Sequence, residues 1–522
     1  MSMKVFVLGL DGCSWNLLDP WIATGELPNL KALRDEAAWG VSESCLPPVT
    51  SPNWKCYSTG KNPGKLGVFW WENIDFNAQR VVLPTAASFR SEELWDYLAR
   101  EQRRVAIVNM PTTYPPKKVN GVMISGGPDA LDSGYTFPPE LEGELRSRFA
   151  YRVHPPDVAT IDDDPEAAAE QILPLIQQRF DATRWLLDRE AFDFVHLTIY
   201  YINVLQHHLW DHPLVKEAWR IIDRNLGELR ESLRDWLLVV MVDHGTNEIR
   251  TQFNISTWMQ AQGYLVLRSS RSRKLLKRLG VTKERAVRIA TTLGLKNWLK
   301  SRLSMETRSF LPSTEGFIGH AGRAGLIDWE RSQAIPSGQG PVYVNPSLSD
   351  RDAIVRDLGK ELGDLVDDLG ERIAARVWTK DELYWGDYLG AAPDLVIEQA
   401  DGVHISASVG SPDAFSRPRR WRAENHKHGL FMVAGTGIRP GRIEATAKIT
   451  DIAPTVLHAC GLPVPGDMDG RVLQELFEPG SEPAARPVRV HGASRESHAG
   501  GDGYAPEEER EIERRLHDLG YL

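Results

Sequence analysis

Short apolar runs that end in a polar or acidic cluster recur along the chain. They are KVFVLGLDG, RRVAIVNMP, DFVHLTIYY, DWLLVVMVDHG, PDLVIEQAD and GLFMVAGTG. Longer segments with helical periodicity, such as PLVKEAWRIIDRNLGELRESL, lie between them. This alternation predicts an α/β fold with a doubly wound sheet, in which functional side chains gather beyond the carboxyl ends of the strands.

Two regions interrupt the alternation. Residues 265–312 are basic and helical, which predicts an insertion whose charge fits either a solvated helical face or a lid that attracts an anionic substrate. Residues 479–503 are rich in Pro, Ala, Ser and Gly and predict an irregular linker before a C-terminal helix over 504–522. Residues 1–478 form the predicted catalytic domain.

Composition narrows the class of protein. The 522 residues carry a formal net charge of −10, which argues against a nucleic-acid partner because phosphate binding usually needs a basic face. The four cysteines are scattered without a CxxC pair, which favours a reducing compartment over a disulfide framework. The first apolar run is typical of a strand and not of a signal peptide, and no run reaches the roughly 18 apolar residues of a membrane span. We therefore expect a cytoplasmic protein without a membrane partner.

Two predicted strands end in side chains that bind metals. VLGLDG places Asp11, and VVMVDHG places Asp243 and His244, directly after an apolar strand. Carboxylates and an imidazole suit a cation such as Zn²⁺ or Mn²⁺, and a following glycine allows a tight turn. One Asp-Gly pair alone would be a plain turn. Two such strand ends, one with an adjacent histidine, favour a metal site.

Thr50 follows two prolines and begins a predicted helix, with Pro52 in its first turn and Gly60 at its end. Two interpretations are open from this motif alone. Thr50 is either an N-cap residue or a nucleophile, since a metal can activate a hydroxyl at a helix N-terminus while nearby amides accept a phosphate.

Histidines cluster in two further segments. In YINVLQHHLWDH, Asn203 and His207 are four residues apart and share one face of a predicted helix, whereas His208 points about 100° away. In ENHKHGLFMVAGTGI, His426 and His428 precede a strand-like run. We expect one of these two to coordinate the metal, with His426 favoured and His428 as its rival.

The chain resembles the alkaline phosphatase superfamily, in particular its type I phosphodiesterase and nucleotide pyrophosphatase branch. The residues that carry the resemblance are, in chain order, Asp11, Thr50, Asn203, His207, Asp243, His244 and His426. Segments such as PPVTSPNW, STGKNPGKLGV, LQHHLW, VDHG and ITDIAPTVLHACGLPVPGDMDGRVL extend it over nearly the whole length. The resemblance implies a three-layer sandwich with a central, mostly parallel sheet, and two divalent ions, usually zinc, with manganese as the alternative.

The resemblance also implies roles for these residues. One ion would be held by carboxylates, one histidine and the nucleophile, which correspond to Asp11, Asp243, His244 and Thr50. The other ion, held in relatives by an aspartate and two histidines, would meet Asn203, His207 and His426. The Thr50 hydroxyl would attack phosphorus and form a phosphothreonine intermediate, which water then hydrolyses.

Three positions depart from the pattern of the family. Asn203 stands where relatives have aspartate, so the second ion loses an anionic ligand and its occupancy is open. Leu66 stands where relatives often have histidine. Trp71 falls about where pyrophosphatase relatives place a phosphate-binding asparagine, with Asn73 two residues beyond, and these two are the candidate substrate-binding residues. A Cys-x-Pro-x-Arg run is absent from the sequence, which argues against sulfatase chemistry.

Together these features predict a metal-dependent phosphohydrolase with a small phosphorylated substrate, in the first place a phosphodiesterase or nucleotide pyrophosphatase. A phosphomonoesterase or phosphomutase with the same core is one alternative. A catalytically weak relative that binds a phosphorylated ligand is another, and it is motivated by Asn203. The oligomeric state stays open, with a homodimer among the options.

Overall fold

A ten-stranded sheet runs through the computed structural model, which describes residues 3–156, 164–268, 324–418, 421–492 and 504–519. From one edge to the other, nine of its strands are Gly441–Arg442, Ala38–Glu43, His428–Ala434, Trp236–Val242, Lys4–Leu10, Phe194–Ile199, Val105–Met110, Gly121–Ser125 and Thr136–Phe137. The tenth, Ala447–Lys448, also pairs with Ala38–Glu43.

Most neighbouring strands of this sheet are parallel. The five central strands from Trp236–Val242 to Gly121–Ser125 all run in one direction. His428–Ala434 is antiparallel to both of its neighbours. Because the central strands are buried on both faces, their sequences are almost continuously apolar. The predicted α/β fold with a mostly parallel sheet is confirmed.

The sheet separates two layers of helices. Along Lys4–Leu10, Phe6 and Leu8 pack into one apolar core, and Val5 and Val7 pack into the other. Helices that contribute to the first core are Trp15–Ala23, Pro28–Glu36, Glu140–Phe149, Pro165–Arg189, Tyr201–Leu209, Pro213–Ser232 and Pro506–Asp518. Helices that contribute to the second core are Thr50–Thr59, Pro63–Leu66, Leu94–Arg100 and Ile452–Ala459.

Smaller sheets form a third apolar core beside the main sheet. One has the order Ala334–Pro336, Pro341–Val344, Leu395–Gln399 and Ala374–Thr379, and another has the order Val403–Ser406, Thr251–Asn254 and Phe415–Ser416. Helices Ile255–Gln262 and Arg351–Asp364 pack on them. A separate antiparallel pair, Gly245–Glu248 with Ala423–His426, begins directly after His244. This pair therefore connects the ends of the central strands to the smaller sheets.

The predicted insertion over 265–312 lies mostly outside the described residues, which stop at 268 and resume at 324. Residues 493–503 of the predicted linker are likewise outside them, and its described part contains the short helix Glu482–Ala485. The helix Pro506–Asp518 lies within the predicted C-terminal helix. Within the described ranges, no helix is both long enough and apolar enough to cross a membrane.

Candidate metal centre

Three predicted ligands meet at the carboxyl ends of two adjacent parallel strands. Asp11 follows Lys4–Leu10, and Asp243 and His244 follow its neighbour Trp236–Val242. All three residues are fully buried, and their ligand atoms lie within 4.8 Å of one another. Nε2 of His244 is 3.6 Å from Oδ1 of Asp11 and 3.3 Å from Oδ2 of Asp243. The pairing of two parallel strands thus brings these side chains together.

Thr50 joins this group from the first position of helix Thr50–Thr59. Its hydroxyl donates to Oδ1 of Asp11 at 3.3 Å, and Oγ1 lies 3.4 Å from Nε2 of His244. The residue that precedes the helix is Val49, so Thr50 does not occupy the N-cap position. Asp11, Thr50, Asp243 and His244 are called the strand-end cluster below.

Asn53 holds the turn that presents Thr50. Its Nδ2 donates to the carbonyl oxygens of Cys45, Pro47 and Val49 at 3.2, 3.1 and 2.9 Å, and its Oδ1 accepts the N–H of Cys45 at 2.8 Å. These bonds replace the backbone pairing that an irregular buried turn lacks. Sequence analysis did not identify Asn53. The available signal was an asparagine in the first helical turn, where its side chain competes for backbone groups.

Each carboxylate of the strand-end cluster also accepts a hydrogen bond from a residue outside the cluster. Nε1 of Trp54 donates to Oδ2 of Asp11 at 3.0 Å, and the backbone N–H of Gly12 donates to Oδ1 of Asp243 at 3.1 Å. The other oxygens, Oδ1 of Asp11 and Oδ2 of Asp243, are the ones that approach His244. Outer partners of this kind fix the direction of metal-ligating atoms.

The tautomer of His244 fits a cation as well. Nδ1 lies 2.8 Å from the carbonyl oxygen of Gly245, which can accept a hydrogen bond but cannot donate one, so Nδ1 carries the proton. The Nε2 lone pair consequently faces the two carboxylates. Burial lowers the pKa of His244, which favours this neutral form.

The electrostatics of the cluster favour a bound cation. Burial, and next the charge of Asp243, raises the pKa of Asp11 well above its ordinary value, and burial raises the pKa of Asp243 to about 8. Among the described residues, neither carboxylate forms an ion pair with Lys or Arg. Two buried carboxylates and an imidazole lone pair therefore lack a positive charge, which one divalent ion would supply. The residues of the strand-end cluster fit one such ion.

Asn203 lies beside this cluster on helix Tyr201–Leu209. A Cβ atom at Gly12 would lie 2.3 Å from Oδ1 of Asn203 and 2.9 Å from Cε1 of His244, so both side chains border the same glycine. Gly12 also has φ of +60°, a conformation that favours glycine. Asn203 is fully buried, and within the described residues neither Oδ1 nor Nδ2 makes a hydrogen bond.

His207 lies one turn further along the same helix. Its Nδ1 is 2.7 Å from the carbonyl oxygen of Ala423, which assigns the proton to Nδ1 and the lone pair to Nε2. The ring stacks on Trp421, with centroids 4.0 Å apart and planes 15° apart. Burial lowers the pKa of His207 to about 3, so the ring is neutral. Asn203 and His207 are called the helix-side group below.

The structure does not bring His426 or His428 to the strand-end cluster. His426 pairs through its backbone with Gly245, but its side chain is partly exposed. Its Nε2 is 3.1 Å from Oδ1 of Asp401, and its Nδ1 accepts the N–H of His428 at 3.2 Å. Both histidines line a cavity of about 280 Å³ that Pro48 also borders.

The two candidate substrate-binding residues lie in separate surroundings. Trp71 is buried in the same apolar core as Tyr200 and Tyr201. Nδ2 of Asn73 donates to the carbonyl oxygen of Gly67 at 3.1 Å. Leu66, which stands where relatives often have histidine, is fully buried in the core on the other face of the sheet.

Glu424 is a buried carboxylate that sequence analysis did not identify. Its Oε1 accepts hydrogen bonds from Nε2 of Gln339 and the N–H of Asn425, both at 2.7 Å, and its Oε2 contacts Nδ1 of His404. Burial would raise the pKa of Glu424, but the charge and hydrogen bond of His404 hold it below its ordinary value. Glu424 thus stays ionised, and its negative charge partly opposes the lowering of the pKa of His207 by burial.

Comparison with known protein families gives a match over most of the chain. A family model described as type I phosphodiesterase / nucleotide pyrophosphatase matches residues 5–429. This span contains the strand-end cluster, the helix-side group and His426.

Solved structures share the fold at low sequence identity. Phosphonoacetate hydrolase from Sinorhizobium meliloti 1021 in complex with phosphonoformate is 15% identical with a TM-score of 0.56, over 88% of this chain and 95% of that chain. Murine ectonucleotide pyrophosphatase / phosphodiesterase 5 is 11% identical with a TM-score of 0.51, over 91% of this chain and 100% of that chain. These likenesses establish the architecture.

Among curated proteins, a 2,3-bisphosphoglycerate-independent phosphoglycerate mutase from Laribacter hongkongensis (strain HLHK9) is 33% identical over 85 residues. The match covers 16% of this chain and 17% of that protein. It is therefore a local similarity.

Proposed function

The chain belongs to the type I phosphodiesterase / nucleotide pyrophosphatase family, a family of phosphoric ester hydrolases, and on this premise we propose that it cleaves a phosphodiester or pyrophosphate bond with Thr50 as the nucleophile. The observation that carries the proposal is the position of the Thr50 hydroxyl. It is fully buried and lies 3.3 Å from Asp11 and 3.4 Å from His244, within a cluster that fits a divalent ion.

Asp11, Asp243, His244 and Thr50 would hold a zinc or manganese ion. When bound, such an ion lowers the pKa of a coordinated hydroxyl and neutralises charge on phosphoryl oxygens. Oδ1 of Asp11 is the acceptor that contacts the Thr50 proton, and its hydrogen bond fixes the direction of Oγ1. Attack of Oγ1 on phosphorus breaks the P–O bond to one substituent, which leaves as the alcohol or phosphate, and Thr50 then carries a phosphoryl group that keeps the other substituent. Water hydrolyses this substituted phosphothreonine and releases the monoester.

The surroundings of Thr50 support this chemistry. The first turn of its helix is buried, so bulk water is excluded and hydrogen bonds to a phosphoryl group are strengthened. The bonds that Asn53 makes to the preceding turn hold Thr50 in place before substrate binds. The proposal includes a small phosphorylated substrate and a cytoplasmic location.

Substitution of Thr50 tests the proposal directly. Thr50→Ala should lower kcat for bis-p-nitrophenyl phosphate by at least roughly a thousandfold, because no other group replaces the attacking oxygen. Thr50→Ser is the matched control and should retain turnover. After an acid quench, mass spectrometry should find one p-nitrophenyl phosphoryl group on the peptide that contains residue 50 in wild type and in Thr50→Ser. Undiminished turnover by Thr50→Ala would refute the proposal.

A phosphomonoesterase or phosphomutase is the second candidate function. The local similarity to a phosphoglycerate mutase favours it. The ratio of turnover with mono- and bis-p-nitrophenyl phosphate separates the two, because a diesterase prefers the bis ester. A protein that binds inorganic phosphate without turning over either ester would instead be the catalytically weak relative.

A further inference from the structure

We propose that this centre works with one divalent ion, in the strand-end cluster, and that the Asn203 amide donates a hydrogen bond to a phosphoryl oxygen where relatives use a second ion. The inference rests on the proposed function, because it assigns a substrate contact in the same site. It concerns the helix-side group, which the chemistry of Thr50 does not use.

The first step concerns Asn203 itself. Its amide is fully buried, and within the described ranges its Nδ2 and Oδ1 make no hydrogen bond. A buried amide without partners destabilises a folded protein. The amide oxygen borders Gly12, which His244 also borders and whose N–H donates to Asp243, so the amide lies beside the strand-end cluster; a half-turn about its last bond would present Nδ2 at the same place. A phosphoryl oxygen at this place would accept a hydrogen bond from Nδ2.

The second step concerns charge. The strand-end cluster supplies two carboxylates, which balance one divalent ion. The helix-side group supplies an amide and an imidazole whose Nδ1 already bonds to the carbonyl oxygen of Ala423, so it offers a second ion no anionic ligand. Zinc sites usually take three or four protein ligands, and the helix-side group offers only two. The helix-side group therefore does not fit a second ion.

The third step concerns the residues that could complete a second ion site. Both nitrogens of His426 already have partners, Asp401 and the N–H of His428. The buried carboxylate near His207 is Glu424, and its two oxygens are engaged by Gln339, the N–H of Asn425 and His404. Recruiting either residue would break hydrogen bonds that the fold already makes.

An amide donor can provide part of the charge stabilisation that a metal ion provides. A fixed N–H group in a buried site stabilises negative charge that develops on phosphoryl oxygens, and it needs no reorganisation during the reaction. It contributes less than a full positive charge, so the centre should favour substrates whose leaving groups are weak bases. A pyrophosphate bond and an aryl phosphodiester are of that class.

Metal content and phosphate binding test the inference without measuring turnover. After equilibration with Zn²⁺ and removal of free metal, elemental analysis should find one ion per wild-type chain and one per chain of Asn203→Ala and His426→Ala. Calorimetry on the zinc-loaded proteins should show inorganic phosphate binding at least about tenfold more weakly to Asn203→Ala than to wild type. His426→Ala is the matched control and should bind phosphate as wild type does.

Two ions per wild-type chain, with one lost in Asn203→Ala or in His426→Ala, would overturn the inference. Equal phosphate affinity of Asn203→Ala and wild type would overturn the proposed contact. The failure of the proposed function looks different. A wild-type protein with one ion and Asn203-dependent phosphate binding, but without ester hydrolysis, would retain the contact and disprove the hydrolase.

Discussion

The strand-end cluster and the helix-side group border the same glycine, Gly12, but differ in charge and in how their side chains are held. Asp11 accepts hydrogen bonds from Trp54 and Thr50, and Asp243 accepts one from the N–H of Gly12. Asn203 has no such bond within the described residues. The carboxylates are thus already oriented for a cation, whereas the amide is satisfied when a ligand arrives.

The difference follows from the elements that carry each group. Asp11, Asp243 and His244 of the strand-end cluster follow two strands whose separation is fixed by continuous backbone pairing, with Leu10 opposite Val242. The helix-side group stands on a helix that begins after the next strand, Phe194–Ile199, and is positioned by packing. Rigid neighbouring strands suit a metal site, because small displacements of its ligands weaken it.

The largest expected difference is between two aspartates. Asp243→Asn removes one of the two charges that balance the ion, so zinc affinity should fall by more than the roughly 10–100-fold that accompanies loss of an outer partner. Asp401→Asn, the matched control, removes the exposed partner of His426 and should leave zinc affinity unchanged. Competition with a chelator measures the affinity. Equal losses in both variants would mean that His426 belongs to the metal centre.

An intermediate effect is expected from the outer partner of Asp11. Trp54→Phe keeps a large ring but removes the N–H that holds Oδ2, and it should weaken zinc binding about 10–100-fold. Trp329→Phe is a control that also removes one indole hydrogen bond, a partly buried one in the separate third core. Zinc binding should be unchanged in that control. An unaffected Trp54→Phe would show that the direction of Asp11 is set by other contacts.

The smallest expected effect is on stability as a function of pH. In the metal-free folded protein the pKa of Asp243 is about 8, above the ordinary value of 3.8 that applies to the unfolded chain. Between these values the folded state binds a proton that the unfolded state has lost, so stability falls as pH rises from about 4 to about 8. Melting temperatures of metal-free protein should show this fall.

Asp243→Asn, Asn203→Ala and bound zinc should each affect this pH dependence of stability differently. Asp243→Asn should flatten the pH dependence, because an amide does not titrate in this range, and bound zinc should flatten it by replacing the proton. Asn203→Ala should leave the slope unchanged, because the helix-side group contributes no carboxyl. A slope that persists in Asp243→Asn would assign it to Asp11, whose pKa is raised in the same direction.

Much of the fold could be predicted from the sequence, but the hydrogen bonds that hold the site residues in place could not. The ends of apolar strands located Asp11, Asp243 and His244, because parallel strands end at a common edge. The hydrogen bond from Trp54 to Asp11 joins residues 43 positions apart, and it has no periodic signal. Asn53 was missed because its role lies in the turn that it holds.

The sequence by itself determined the α/β alternation and the chemistry at the strand ends, since both follow from local periodicity and residue type. Tertiary structure decided the directions of the remaining side chains. His426 lies opposite Gly245 in a pair of strands, and its ring contacts Asp401 and the N–H of His428, whereas the grouped ligand atoms at the strand ends belong to Asp11, Asp243 and His244. The direction of a side chain in such a pair depends on register and on the neighbours it meets, and a shift of one residue reverses it. Neither the register nor the neighbouring contacts can be deduced from the local sequence ENHKHG.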